Sequence, residues 1–217
     1  MTVRLEGFHA VKHALRFAPE LVHRVEVEDL GRAGSLAERL APDVLGALLD
    51  RAVVAPVEHP TGVQAAAARP AEDRAVLRTR ASPLLVLDFP RQAGNAGAAV
   101  RVAAAAGASG VVTTGDLDPW HPAVLRGSAG LHYALPVLRA TPDELTGPVL
   151  LLDAGGERLR GLPDDAALVV GSERSGVGDE LRSRADAVVS LPMRPGVSSL
   201  NLATAAAAAL YAWRLGH

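Results

Sequence analysis

Three polar clusters between residues 94 and 201 have the residue types and spacing that chemistry requires. The last is L-P-M-R-P-G-V-S-S-L-N, Leu191 to Asn201. Pro192, Pro195 and Gly196 forbid regular structure there. Two serines and an asparagine then suit a helix start, because their side chains cap orphan N–H groups. A rigid, backbone-exposing loop between a strand and a helix suits a ligand. The second cluster is G-S-E-R-S-G, Gly171 to Gly176, directly after an apolar strand. Its glycines let backbone approach a ligand closely, and Glu173 supplies a carboxylate. Read alone, it serves equally as a turn with a solvated acid. The first cluster is G-N-A-G-A-A-V-R, Gly94 to Arg101. Read alone, Asn95 is as well suited to capping a helix, and Arg101 to the surface.

Two familiar chemistries are excluded by spacing. A dinucleotide fold of the Rossmann type needs G-x-G-x-x-G, and Gly94 and Gly97 supply only G-x-x-G. Acyl-enzyme chemistry on a nucleophile elbow needs G-x-S-x-G, which is absent.

The elements that must carry these clusters follow from periodicity. Continuous apolar runs at 84–88, 110–113, 149–153, 167–170 and 187–191 predict parallel strands covered on both faces. Helices are predicted at 96–106, 121–128, 178–185 and 200–215, and a further strand within 131–138. In the last helix Leu202, Ala206, Leu210 and Trp213 form a stripe. Its remaining faces are mainly alanine, which predicts burial all round, in part against a second subunit. Upstream, a helix is predicted at 5–17, a helical stretch at 35–49, and strands at 23–28, 51–57 and 61–67. The expected division is a small α/β module over residues 1–68, a linker at 69–82 and a larger α/β domain at 83–217.

Composition bounds the partners. With 217 residues and 49% hydrophobic content, the chain forms a substantial core. No apolar run is long enough for a membrane span, and no signal-peptide core is evident. Absence of cysteine excludes disulfides and thiolate metal sites and fits a cytoplasmic location. A net charge of −2 excludes a broadly basic coating protein. It leaves local basic surfaces: His9, Lys12, His13 and Arg16 on one face of the first helix, with Arg91, Arg126 and Arg174 near the clusters. Aromatics at 3% give a multi-base stacking platform little to work with.

In combination and order, N-x-G-x-x-x-R at 95–101, G-S-E-x-x-G at 171–176 and L-P-M…S-L-N at 191–201 resemble the three-motif pattern of the SpoU/TrmH family of RNA ribose 2′-O-methyltransferases, within the SPOUT superfamily. D-P-W-H-P…R-G-S-A-G, Asp118 to Gly130, lies between the first two. The resemblance covers about residues 83–217, and E-G-F-H-A-V-K-H-A-L more weakly resembles the start of the family's small substrate-binding domain. It implies an α/β fold: a SPOUT-type parallel sheet with helices on both faces and a C-terminal deep trefoil knot, preceded by that small α/β domain. It implies S-adenosylmethionine as cofactor, held by Thr114 and Gly115, by Gly171, and by Leu191, Met193 and Leu200. It implies a catalytic set of Asn95, Arg101, Glu173, Ser199 and Asn201, a homodimer joined through the knot region, and no metal. The RNA, rRNA or tRNA, would meet Lys12, Arg16, Arg126 and Arg174. A guanidinium, protonated throughout the working pH range, is a poor base, so Arg101 is expected to clamp phosphate, fixed by Asn95 and Glu173. The alternative is a catalytically inactive SPOUT-fold RNA-binding or ribosome-assembly factor, against which the intact catalytic set argues.

Overall fold

The computed structural model describes residues 1–172 and 175–216. It divides into two compact units, Met1–Ala71 with Ser128–Ala134, and Glu72–Gly127 with the chain from Leu135 onward.

The first unit is built from β1 (Thr2–Glu6), α1 (Phe8–Phe17), β2 (Val22–Val27), α2 (Leu30–Leu40), α3 (Leu45–Leu49), β3 (Ala52–Val54) and β4 (Val63–Ala68). Its four-stranded sheet runs β1-β4-β2-β3. β1 and β2 flank β4 antiparallel, and β3 joins β2 in parallel. Residues 2–6 are therefore a strand, where a helix from residue 5 was expected. Val3 and Leu5 point inward while Thr2 and Arg4 face out, the period of a half-buried strand. What decides the matter is pairing with β4, Thr2 against Ala68, some sixty positions away and outside any local window. Gly7 at φ 85 breaks the strand, and α1 then buries Phe8, Ala10, Val11, Ala14 and Leu15. α2 begins at Leu30 rather than at residue 35, because Asp29 Oδ1 accepts from the Arg32 N–H at 2.6 Å and caps it.

Ser128–Ala134 completes this unit, although in sequence it lies inside the expected second domain. Tyr133 donates its hydroxyl to the Ala68 carbonyl at 3.1 Å, and buried Ser128 and His132 pair side chains at 2.8 Å. Gly130, at φ 75, lies on α1 so closely that a Cβ would fall 2.6 Å from the Ala10 carbonyl oxygen.

The second unit contains β5 (Leu84–Leu87), α4 (Ala93–Ala106), β6 (Gly110–Thr113), α5 (Pro122–Gly127), β7 (Val137–Arg139), β8 (Val149–Arg158), β9 (Ala167–Val170), α6 (Asp179–Ser183), β10 (Ala187–Ser190) and α7 (Leu202–Arg214). Its six strands are all parallel, in the order β10-β8-β9-β5-β6-β7. β5, β6 and β9 are buried along their whole length, as continuous apolar runs require. On one face Leu84, Val86, Val112, Leu151 and Val169 pack with Leu181 of α6. Val76 and Leu77 join this core from a 3-10 turn at Arg74–Leu77, inside the stretch read as a linker. α4 and α7 pack together and lie on β6 and β9. α7 buries Leu202, Ala203, Ala206, Ala209, Leu210 and Trp213, and Trp213 donates to Asp164 at 2.7 Å. Within one chain it is not buried all round: Thr204, Ala208, Tyr211 and Ala212 stay exposed.

The glycine of N-A-G has a packing reason. A Cβ on Gly97 would lie 2.4 Å from the Val124 carbonyl oxygen and 2.8 Å from Gly127 Cα, so α4 and α5 meet backbone to backbone. Gly97→Ala is predicted to destabilise by about 1–3 kcal/mol through overpacking, lowering the thermal midpoint by about 2–10 °C. Gly94→Ala, whose added Cβ meets nothing within 4 Å, is predicted not to lower it. Thermal unfolding of both variants checks the pair.

Candidate functional site

Because the strands are parallel, the loops leaving β5, β6, β8, β9 and β10 emerge on one side of the sheet. The G-S-E-R-S-G loop leaves β9 and closes on itself. Ser172 N–H donates to the Gly176 carbonyl at 3.0 Å, and Gly176 N–H returns to Ser172 at 2.9 Å. Ser172 and Ser175 also pair hydroxyls at 2.7 Å. This fold-back leaves no room beside Gly171, where a Cβ would fall 2.1 Å from the Gly176 carbonyl carbon. Glu173 and Arg174 lie outside the described residues.

A cavity of about 240 Å³ opens beside this loop. Gly171, Ser172 and Gly176 form one wall, and Leu191, Met193, Ser198, Ser199 and Leu200 another. The third wall is Leu152, Asp153 and Ala154, at the end of the apolar run in β8. β10 pairs with β8 through Val188 opposite Leu151, then resumes with Val189 opposite Glu157, so residues 152–156 bulge out of that pairing. Asp153 holds the bulge. It accepts from the Gly155 N–H at 3.0 Å and from Arg182 at 2.8 Å. The Arg182 guanidinium, with the Gly155 N–H, keeps its carboxyl below the usual carboxylate range. The sequence reading missed Leu152–Ala154, although the A-G-G after an apolar strand repeats the signal seen at Gly171.

Gly171, Leu191, Met193 and Leu200 thus meet as expected of one site, and Ser199 lines it with them. Thr114 and Gly115 do not: they line a different cavity, of about 340 Å³, with Asp88, Phe89 and Gly178. The sheet order explains this. β8 neighbours β9, whereas β5 stands between β9 and β6. With strands about 4.8 Å apart, the end of β6 is roughly 10 Å from Gly171.

Thr114 has a structural task. Asp88, only 1% exposed, accepts from the Thr114 hydroxyl at 2.5 Å and from the Gly178 N–H at 2.7 Å. The Thr114 oxygen in turn accepts from the Phe89 N–H at 3.0 Å. One buried carboxylate so joins the loops after β5 and β6 to the start of α6. Phe89 is held at φ 45, a conformation costing a bulky residue about 1–3 kcal/mol.

The first motif lies away from the smaller cavity. Asn95 is the third residue of α4, not its cap, and donates to Gln92 at 3.1 Å. Arg101 is exposed, and no hydrogen bond or ion pair engages it among the described residues. Asn201 is committed to structure: its Oδ1 caps α7, accepting from Ala203 N–H at 2.9 Å and Thr204 N–H at 3.3 Å. Only its amide N–H groups are left for other work.

In the first unit the basic face is partly spent. Arg16 forks onto both oxygens of Asp43 at 2.6 Å, which lowers the Asp43 pKa and raises that of Arg16. His13 Nδ1–H donates to the Ala129 carbonyl at 2.8 Å, and burial lowers its pKa, so the ring is neutral at neutral pH. Lys12 is half-buried, and Arg126 is exposed on α5. Among the described residues no group of His, Cys, Asp or Glu is placed to hold a metal ion, and no helix is long and apolar enough to cross a membrane.

Comparison with known proteins places this architecture. A profile described as the SpoU rRNA Methylase family matches residues 82–211. A 23S rRNA (uridine(2479)-2′-O)-methyltransferase of Streptomyces viridochromogenes is 31% identical over 227 residues, covering 96% of this chain and 75% of the relative. The 23S rRNA (guanosine(2553)-2′-O)-methyltransferase RlmP of Bacillus subtilis is 31% identical over 230 residues, covering 97% and 87%. Among solved structures, the SpoU methyltransferase AviRb of Streptomyces viridochromogenes, in complex with AdoMet, shares the fold. Its TM-score is 0.76 at 24% identity, covering 99% of this chain and 90% of that one.

Two expectations follow from the geometry. Gly171→Ala must displace the Gly176 backbone, so a loss of about 1–3 kcal/mol in urea unfolding is predicted. The Asp153–Arg182 pair, partly exposed, contributes about 0.2–1 kcal/mol. Asp153 has a lowered folded pKa, so this contribution is present above the ordinary value near 3.9 and is lost as pH falls through the lowered one. Arg182→Gln is predicted to be less stable than the parent at pH 7. The two should converge as the pH falls through the lowered Asp153 pKa, which urea midpoints across acidic pH will show.

Proposed function

The chain belongs to the SpoU rRNA Methylase family, and on that footing we propose that it transfers a methyl group from S-adenosylmethionine to a ribose 2′-hydroxyl of structured RNA, rRNA or tRNA. The observation that carries this reading is the cavity in which the second and third motifs meet. Its walls fit the cofactor. Leu152, Leu191, Met193 and Leu200 offer apolar faces to an adenine, and Gly171 lines the cavity with backbone that carries no side chain. Ser198 and Ser199 bring hydroxyls, and Asp153 brings an acceptor for sugar hydroxyls or an ammonium group. When bound, the cofactor supplies a methyl group already activated on a sulfonium.

The chain then has to align and to exclude water. Arg101 is the clamp: its exposed guanidinium fork, which no hydrogen bond or ion pair engages among the described residues, suits the phosphate beside the target ribose. Asn95 and Glu173 steer that fork. Ser199 lies at the cavity and positions the 2′-oxygen, and Asn201 contributes as a donor because its oxygen is spent on the helix cap. Lys12, Arg126 and Arg174 supply phosphate contacts. Arg16 adds little, since Asp43 already holds its fork.

The active form in this reading is a homodimer. Arg101 and Asn95 do not line the cavity of their own chain, which suits a site completed across two subunits. The exposed Thr204, Ala208, Tyr211 and Ala212 of α7 offer a small-residue surface for the second copy. A C-terminal trefoil knot belongs to the same proposal. It is supported by β10 lying outside β8 while the loop after it returns to the ends of β8 and β9. An RNA target places the protein in the cytoplasm.

The test is transfer of labelled methyl from S-adenosylmethionine to deproteinised rRNA and tRNA. The expected product is a ribose-methylated, alkali-resistant dinucleotide. Arg101→Lys keeps the charge and loses the fork, so kcat/KM is expected to fall about 100-fold with cofactor affinity unchanged. Near-parental transfer by that variant would refute the clamp.

A further inference from the structure

Phe89 is 54% exposed, yet its backbone sits at φ 45. A bulky side chain there is a rare conformation that persists only when its surroundings force it. The force is visible. Asp88 is locked by Thr114 and Gly178, and the Phe89 N–H is held by Thr114. The ring gains little burial in return. It rests on Gly115, whose Cβ would stand 2.5 Å from it, and reaches toward Gly178. One face is backed by glycine backbone, and much of the rest is open to solvent.

The ring borders the cavity of about 340 Å³ at the ends of β5 and β6, lined also by Thr141, Pro142, Asp179 and Glu180. This cavity is separate from the one assigned to the cofactor. Three carboxylates in its lining, Asp88, Asp179 and Glu180, disfavour a phosphate, and Asp179 and Glu180 can accept hydrogen bonds from N–H groups. An aromatic wall with acceptors beside it matches the face and the amino or imino edge of a nucleobase. The same loop runs on into α4, which carries Asn95 in its first turn, and Arg91, two residues after Phe89, is exposed.

Resting on the methyltransferase reading above, we propose that Phe89 is a positioning residue for the RNA: an unpaired base near the methylated ribose stacks on its ring inside this cavity. A strained, rigid ring loses little freedom on binding, which favours it over a mobile side chain. The sparse aromatic content noted from composition excludes a broad stacking platform, and leaves room for a single stacking point.

The experiment uses the full chain, deproteinised rRNA and unmodified tRNA transcripts as probes. Phe89→Leu keeps apolar bulk and loses the π face. Phe89→Asn suits the left-handed backbone and also loses the ring. Both are expected to bind RNA roughly 5- to 150-fold more weakly, the range seen when a stacking aromatic is removed, with S-adenosylmethionine affinity unchanged. Phe89→Asn is expected to melt no lower than the parent, separating this effect from loss of fold. Phe89→Trp is expected to retain RNA affinity. Its emission should be quenched by RNA, against buried Trp120 and Trp213 that respond little. Unchanged RNA affinity in the Leu and Asn variants overturns the proposal. So does dissociation of a dimer in Phe89→Asn by sedimentation, since the ring would then cover a second subunit. A parent protein that binds neither RNA overturns the methyltransferase reading and this one together.

Discussion

The site depends on one steric constraint, the backbone contact between Gly171 and Gly176. The loop after β9 returns on itself through the two Ser172–Gly176 hydrogen bonds. That return leaves no space for a Cβ at residue 171. The result is side-chain-free backbone at Gly171, at the end of a buried parallel strand, lining the cavity beside Ser172, whose own N–H and C=O are held by Gly176. β8 and β10 supply the other walls because they are the next strands along the sheet. The bulge at 152–156 turns the end of β8 toward the cavity, and Pro192 and Pro195 keep the following loop from extending the sheet.

A second constraint organises the neighbouring cavity. Asp88 is a buried acid whose two oxygens are both occupied, one by a side chain and one by backbone. A buried carboxylate is tolerable only with such partners. Its placement ties together the loops after β5 and β6 and the start of α6, and it holds Phe89 in its strained turn. The sheet therefore carries two adjacent concavities with different chemistry. One has apolar walls, open backbone and hydroxyls. The other has an aromatic ring and carboxylates.

Much of the second unit was legible because parallel strands announce themselves as apolar runs, and Gly171 directly after β9 marks a loop with no room for a side chain. Gly171 and Leu191 were assigned to one site through the family resemblance, and they line one cavity. What was not legible rests on long-range pairing. Residues 2–6 form a strand only because β4 is there to pair with them. Ser128–Ala134 joins the first unit through contacts with α1 and Ala68, which no local pattern announces. Thr114 and Gly115 were assigned to the cofactor by the family resemblance, and strand order, which local sequence does not encode, sets them beside a different cavity, two strands from β9. Arg16 looked available on a basic helix face, and Asp43, twenty-seven residues on, takes its fork.

The central claim is that S-adenosylmethionine binds in the cavity between residues 152–154, 171–172 and 191–200, and not in the one beside Thr114. Amide hydrogen exchange with and without S-adenosylmethionine tests this directly. The account predicts slowed exchange at Ala154, Ser172 and residues 198–200 on adding the cofactor, with exchange at Thr114, Gly115 and Thr141 unchanged. Protection confined to Thr114, Gly115 and Thr141, with none at Ser172 or residues 198–200, would contradict it.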